Sequence, residues 1–163
     1  MRRSALTVLL SLGSLSLFAG AASADKPVRE PLPTQEDVTF GAGEVCDFPV
    51  TRETVANNQF VTTFSDGRRR VTGALKIRLT NVDTGQSLLV NASGPAWETE
   101  TETVLEVSTQ GPLVLFLFPV DEPGPGIFLY RGNVHFVLEF ASERLTVLSA
   151  TGPPPRDLCD DLA

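Results

Sequence analysis

An all-β fold is predicted by three features of the chain. From Val45 onward, short apolar or alternating runs follow one another at close, regular spacing, each bounded by turn residues. No stretch carries the 3.6-residue period of a helix beyond a turn or two at Arg156 to Leu162. The links are short, which favours antiparallel neighbours. The expectation is a single antiparallel meander closed as an up-and-down β-barrel, since a barrel removes the edge strands, with a β-sandwich as the alternative.

Taken in order, Arg2 and Arg3 precede the apolar run LTVLLSLGSLSLF and then Ala22-Ser23-Ala24, which together read as a signal peptide over residues 1–24. The run is short for a membrane span, and no later run is long enough for one, so the product is expected to be secreted, extracellular and free of the membrane after cleavage. Residues 25–43 carry three prolines and no periodicity and read as an extended arm. Residues 44–163 make one β domain, with strands expected near 45–51, 58–64, 70–81, 86–93, 97–107, 113–119, 127–131, 133–141 and 144–151.

Four turns set an expected register. Asp66-Gly67 as a two-residue loop places Phe64 opposite Arg69, Thr62 opposite Val71 and Phe60 opposite Gly73. Val82-Asp83-Thr84-Gly85 as a four-residue turn places Leu79 opposite Leu88 and Ile77 opposite Val90. Gly132-Asn133 places Leu129 opposite Phe136 and Tyr130 opposite His135; Ser142-Glu143 places Phe140 opposite Leu145 and Leu138 opposite Val147. Each choice gathers apolar side chains on one face.

Loss of the leader removes two arginines and no acids, taking the net charge from −7 to −9. That balance repels nucleic-acid backbones and anionic lipid, and Arg68-Arg69-Arg70 reads as a solvated strand edge rather than a nucleic-acid patch. Cys46 and Cys159 are the two cysteines of the chain and are expected to pair, tying the start of the domain to its tail. The rival is a cysteine nucleophile with His135 as base.

Residues 98–107, ETETETVLEV, put Glu98, Glu100, Glu102 and Glu106 on one face of a single strand and Trp97, Leu105 and Val107 on the other. Same-face neighbours lie about 7 Å apart, too far to chelate one ion unaided, so the ladder reads as a wet face beside Ser87, Leu89 and Asn91, charge-balanced by Lys76 and Arg78 one strand further. With His135 the single histidine, no multi-histidine metal site is available. No metal, cofactor or catalytic residue is assigned. No serine sits in a nucleophile elbow, and His135 reads as a surface cross-strand histidine.

The stretches CDFPV, FSDGR, LTNVDTGQS, NASGP and DLCDDLA resemble a group of small exported proteins of actinobacteria. That group shares a G-x-x-C-x-F-P-V start, a T-N-x-x-T-G turn followed by N-x-S-G-P, and a D-x-C-x-x-L-A end. The resemblance spans most of the mature chain and implies export, the disulfide and a Gram-positive source. It implies no activity.

The expected function is a secreted, non-enzymatic domain that binds a protein partner or an apolar small molecule through a surface or an open end. Phe128, Tyr130, His135, Val137 and Leu148 are the expected surface, because the turn register leaves them together on the outer side of the C-terminal strands. A bare apolar patch of that size needs a cover, either the 25–43 arm, the Cys159-anchored tail, or a partner. The alternatives are a small extracellular hydrolase using His135 with carboxylates, and a structural or inhibitory module for another exported protein.

Overall fold

The computed structural model describes residues 26–163; the expected signal peptide, 1–24, lies outside the described residues. Among the described residues twelve strands run in chain order: β1 (Val28–Pro31), β2 (Val38–Phe40), β3 (Val50–Thr63), β4 (Arg69–Asn81), β5 (Ser87–Asn91), β6 (Ala96–Glu100), β7 (Val104–Gln110), β8 (Leu113–Leu117), β9 (Gly126–Tyr130), β10 (Asn133–Glu139), β11 (Arg144–Thr151) and β12 (Arg156–Asp157). One short helix, α1 (Leu158–Leu162), ends the chain, with Asp157 capping it by accepting from the Cys159 amide at 2.8 Å.

All strand pairs between these elements are antiparallel, and they form two sheets rather than one closed barrel. The path of the nine-stranded sheet is β1-β3-β4-β6-β7-β10-β11, with β2 also on β3 and β5 also on β4; the second sheet is β12-β9-β8. Alternation along β8 and β9 explains how they meet. Ile127 and Leu129, with Val114 and Phe116, pack with Val50, Ile77, Leu79 and Val90 of β3 to β5. Leu115, Leu117, Phe128 and Tyr130 pack from the opposite face with Val107, Val134 and Phe136 of β7 and β10. The large sheet therefore covers both faces of the small one, which is why LVLFLF is apolar throughout. Fully burying side chains such as Leu79, Leu117 and Ile127 contributes roughly 1.5 to 3 kcal/mol each.

The expected meander needs four corrections. The strand expected at 97–107 is two strands, because the Thr101 hydroxyl accepts from the Val104 amide at 3.1 Å and reverses the chain. The loop at Asp66-Gly67 is one residue longer: Thr63 pairs with Arg69, Val61 with Val71, and the Gly67 amide donates to the Phe64 carbonyl at 3.0 Å. Gly67 takes φ +84°, the left-handed conformation that such a bulged turn requires. At Gly132-Asn133 there is no hairpin. The chain instead leaves the small sheet for the large one, passing so close to β11 that a Cβ on Gly132 would stand 1.6 Å from the Thr151 carbonyl oxygen. Thus β9 pairs with β8 and β12, and β10 with β7 and β11. Finally, the turn after β10 is a four-residue link, so Leu138 faces Leu145 and Phe136 faces Val147, two residues from the expected register but with the same face inward. The turn after β4 has the expected pairs, Leu79 with Leu88 and Ile77 with Val90.

The arm is strand-forming rather than irregular. β1 and β2 both hydrogen-bond to β3, and Phe40 stacks on Phe116 of β8 at 5.2 Å. The tail pairs through β12 with Leu129 and Phe128, buries Leu158 and Leu162, and is joined to the start of the domain by the Cys46–Cys159 disulfide. The long link from Val120 to Gly126 docks on β11, where the buried Asp121 carboxylate accepts from the Phe118 amide at 2.6 Å and the Leu145 amide at 2.7 Å. No helix among the described residues is long and apolar enough to cross a membrane.

Candidate functional site

The five residues expected to form one surface are divided between the two sheets. Phe128 and Tyr130 face inward from β9, and Tyr130 is 4% exposed. Burial pushes its phenol above the ordinary tyrosine value. His135 and Val137 lie on the outer face of β10, opposite Ser108 and Glu106 of β7, since Val134 and Phe136 take the inner face. Leu148 is exposed on β11 at the bulge that shifts register beside His135. Phe128 does not meet Val137, nor Tyr130 His135, because both pairs required β9 to neighbour β10; Val137 faces Thr146 rather than Leu148 because the turn after β10 shifts the register.

A different set of residues meets on that outer face. Register across β4, β6, β7, β10 and β11 aligns Arg70, Trp97, Ser108, His135 and Ser149 in one row perpendicular to the strands. Ser108 is small and stands between two rings, so the row dips. The resulting groove has a volume of about 230 Å³ and is lined along its length by Gln110, Asn133 and Thr151 as well as by the row itself. Trp97 is 40% exposed, unusual for a large aromatic ring on an open sheet. Phe64, 5.4 Å away, and the Arg68 guanidinium, 5.5 Å away, brace the indole without lining the groove; Arg70 lies 5.3 Å from the ring and does line it. Arg68 is itself held by Asp66, whose carboxyl is kept below its ordinary value first by the Arg68 backbone amide and then by the guanidinium.

At the opposite wall, His135 Nε2 and Glu106 Oε1 are 2.7 Å apart. The two lie diagonally across β7 and β10, so the carboxylate orients the ring and leaves Nδ1 free of that contact. The acidic ladder is thus not one surface. Glu106 faces out toward His135, whereas Glu98 pairs with Val107, turns inward, and takes two hydrogen bonds from Arg69 at 2.9 and 2.5 Å. Arg69 also reaches Glu100 at 3.6 Å, so this arginine, not Lys76 or Arg78, balances the first two carboxylates of the ladder. Alternation splits the Arg68-Arg69-Arg70 cluster in the same way, two outward and one inward.

Trp97, Ser108, Glu106 and Arg70 carry no recognisable motif in the sequence. The signal available was the Thr101-to-Val104 reversal: a threonine at the head of a tight turn would have folded the ladder back on itself and set Trp97 beside Ser108. Comparison of the chain with family models, with curated proteins and with solved structures gives no match.

Proposed function

We propose that the mature chain is an exported, non-enzymatic binding domain that takes a neutral saccharide on the outer face of its large sheet, in the groove between Trp97 and His135. The observation that carries this reading is the row Arg70–Trp97–Ser108–His135–Ser149, an exposed indole beside a largely apolar trough into which hydroxyl and amide groups are set. A sugar ring has an apolar C–H face that stacks on an indole and a rim of hydroxyls that both donate and accept. Gln110, Asn133, Ser149 and Thr151 supply neutral partners of both kinds. A few polar groups around an aromatic anchor are the usual make-up of a small-molecule site.

Export is supported by the leader pattern, by the likeness to the actinobacterial exported group and by the disulfide, which suits an oxidising compartment. The covering of the small sheet on both faces favours a partly open barrel over two stacked sheets. Trp97 is the sole tryptophan, so intrinsic fluorescence reports on this groove alone. Titration with neutral oligosaccharides of β-linked glucose or N-acetylglucosamine is expected to give a saturable emission change, and calorimetry with Trp97→Ala a loss of binding of about tenfold or more. A flat emission titration across that panel overturns the reading.

The hydrogen-bonded His135–Glu106 pair favours one second reading, a small hydrolase with His135 as general base. It brings one acid, Glu106, to the histidine, in a groove that is open rather than closed over the pair. Ester or glycoside cleavage abolished by His135→Ala would establish it.

A further inference from the structure

A second site lies between the arm and the small sheet, open to solvent along one side, and shares no residue with the outer groove. Along β3, alternation points Val50, Arg52 and Thr54 to the same side, and Val50 is fully buried in the core. Arg52 therefore carries a permanent charge inward, and it is 7% exposed. Its partners are neutral: Nη1 donates to Gln35 Oε1 at 2.6 Å and Nη2 to the Glu36 backbone carbonyl at 2.8 Å. Nε is buried and has no partner. Among the described residues Arg52 takes part in no ion pair.

A buried cation without a counter-charge is costly, and neutral acceptors offset only part of that cost. The space beside it is apolar. A cavity of about 490 Å³ runs from Arg52 between β2, β4 and β8, lined by Phe40, Ile77, Val114, Phe116 and Phe118. That volume falls in the range of small-molecule sites. Val38 and Phe118, 39% and 36% exposed, stand at its open side. A smaller cavity of about 60 Å³ lies against the other side of the same Arg52–Gln35 contact, shared with Leu32 and Asn57. The Gln35–Arg52 hydrogen bond is thus a partition between two spaces, and its acceptor belongs to the exposed link between β1 and β2.

We propose that this cavity binds a long-chain carboxylate, with the carboxylate taking the place of the Gln35 amide oxygen on the Arg52 guanidinium and the alkyl chain lying among Phe40, Ile77, Val114, Phe116 and Phe118. Among the described residues Arg52 is the one buried cation without a counter-charge, and a planar carboxylate in the place of Gln35 brings that charge and a second acceptor oxygen to the Nη end of the guanidinium, where Gln35 offers one neutral oxygen. Glu36 also lines this space, but it is its backbone carbonyl and not its carboxylate that holds Nη2, and the residue is exposed. The alkyl chain replaces water on aromatic and aliphatic walls, which is the favourable term for an amphiphile.

The experiment is calorimetric titration of the delipidated mature protein, disulfide intact, with dodecanoate below its micelle concentration, alongside dodecanol, dodecyl phosphate and acetate. Dodecanoate is expected to bind one to one, and Arg52→Met to weaken it about tenfold or more, the worth of a charge-assisted hydrogen bond. Dodecanol is expected to bind equally to both proteins, because only its chain is recognised, and acetate to neither. Trp97→Ala is expected to leave dodecanoate binding unchanged, which separates this site from the outer groove. If Arg52→Met does not fold, the carbon-13 resonance of carboxyl-labelled dodecanoate, bound to the wild type and to Arg52→Lys, is expected to differ between the two. No saturable binding of dodecanoate, equal binding to Arg52→Met, tighter binding of dodecyl phosphate than of dodecanoate, or an unshifted carboxyl resonance in Arg52→Lys overturns the proposal.

Discussion

Removing the disulfide with Cys46→Ala and Cys159→Ala is expected to destabilise the fold by about 5 kcal/mol at 25 °C. The bridge spans 113 positions, and cross-linking residues that far apart removes roughly that much chain entropy from the unfolded state. A domain of this size is stable by about 5 to 15 kcal/mol, so the variant is expected to fold but to sit near its threshold. Its tail keeps other anchors: Leu158 and Leu162 stay buried, Asn81 Nδ2 donates to the Leu162 carbonyl at 2.9 Å, and β12 pairs with β9. For that reason the native structure itself is expected to persist. The assay is urea unfolding of both proteins, followed by Trp97 emission and by circular dichroism. The denaturant slope should rise, since an uncrosslinked unfolded chain exposes more surface. A loss of less than about 1 kcal/mol, or a slope that falls, refutes the unfolded-state argument and assigns the effect of the bridge to local strain.

Two further outcomes test the electrostatics. Tyr130 is the sole tyrosine, and its folded pKa is raised by burial, so its contribution to stability is complete below the unfolded phenol value of about 10 and is lost as pH rises through the folded value. Phenolate absorbance should titrate later in the folded protein than in denaturant, and Tyr130→Phe should remove that part of the alkaline destabilisation; coincident titrations contradict the burial. For the acidic ladder, Glu98→Gln should cost roughly 1.5 to 3 kcal/mol because the side chain is 16% exposed and charge-paired to Arg69, while Glu100→Gln with Glu102→Gln should cost less than about 1 kcal/mol. Equal costs in urea unfolding would show that the inward turn of Glu98 carries no energetic weight.

Period-two alternation, turn residues and two cysteines determined by themselves that the chain is antiparallel β and that Cys46 meets Cys159. They also determined the register at Val82 to Gly85, where a four-residue turn admits one pairing of Leu79 with Leu88. These are local or covalent facts, readable without knowing which strand lies beside which. The neighbours of β9 and the row from Arg70 to Ser149 were decided by the tertiary structure. LVLFLF and GIFLY are apolar on both faces, so nothing in their own pattern says that they form a separate sheet with core on each side; packing against β3 to β5 on one face and β7 and β10 on the other decides it. Once β9 is inside, Gly132 must carry the chain past Thr151 to the outer sheet, and Tyr130 can no longer stand beside His135. Trp97 and His135 are 38 positions apart and meet across Ser108 because the ladder turns back at Thr101, a hydrogen-bond event worth little energy locally but fixed by the burial of Val107 beneath it. Arg52 is the same lesson in a single residue: alternation with Val50 aims it inward, but the tertiary structure alone leaves it there without a counter-charge, since burial and partnership depend on a backbone carbonyl 16 residues away, a side chain 17 residues away and residues of the small sheet.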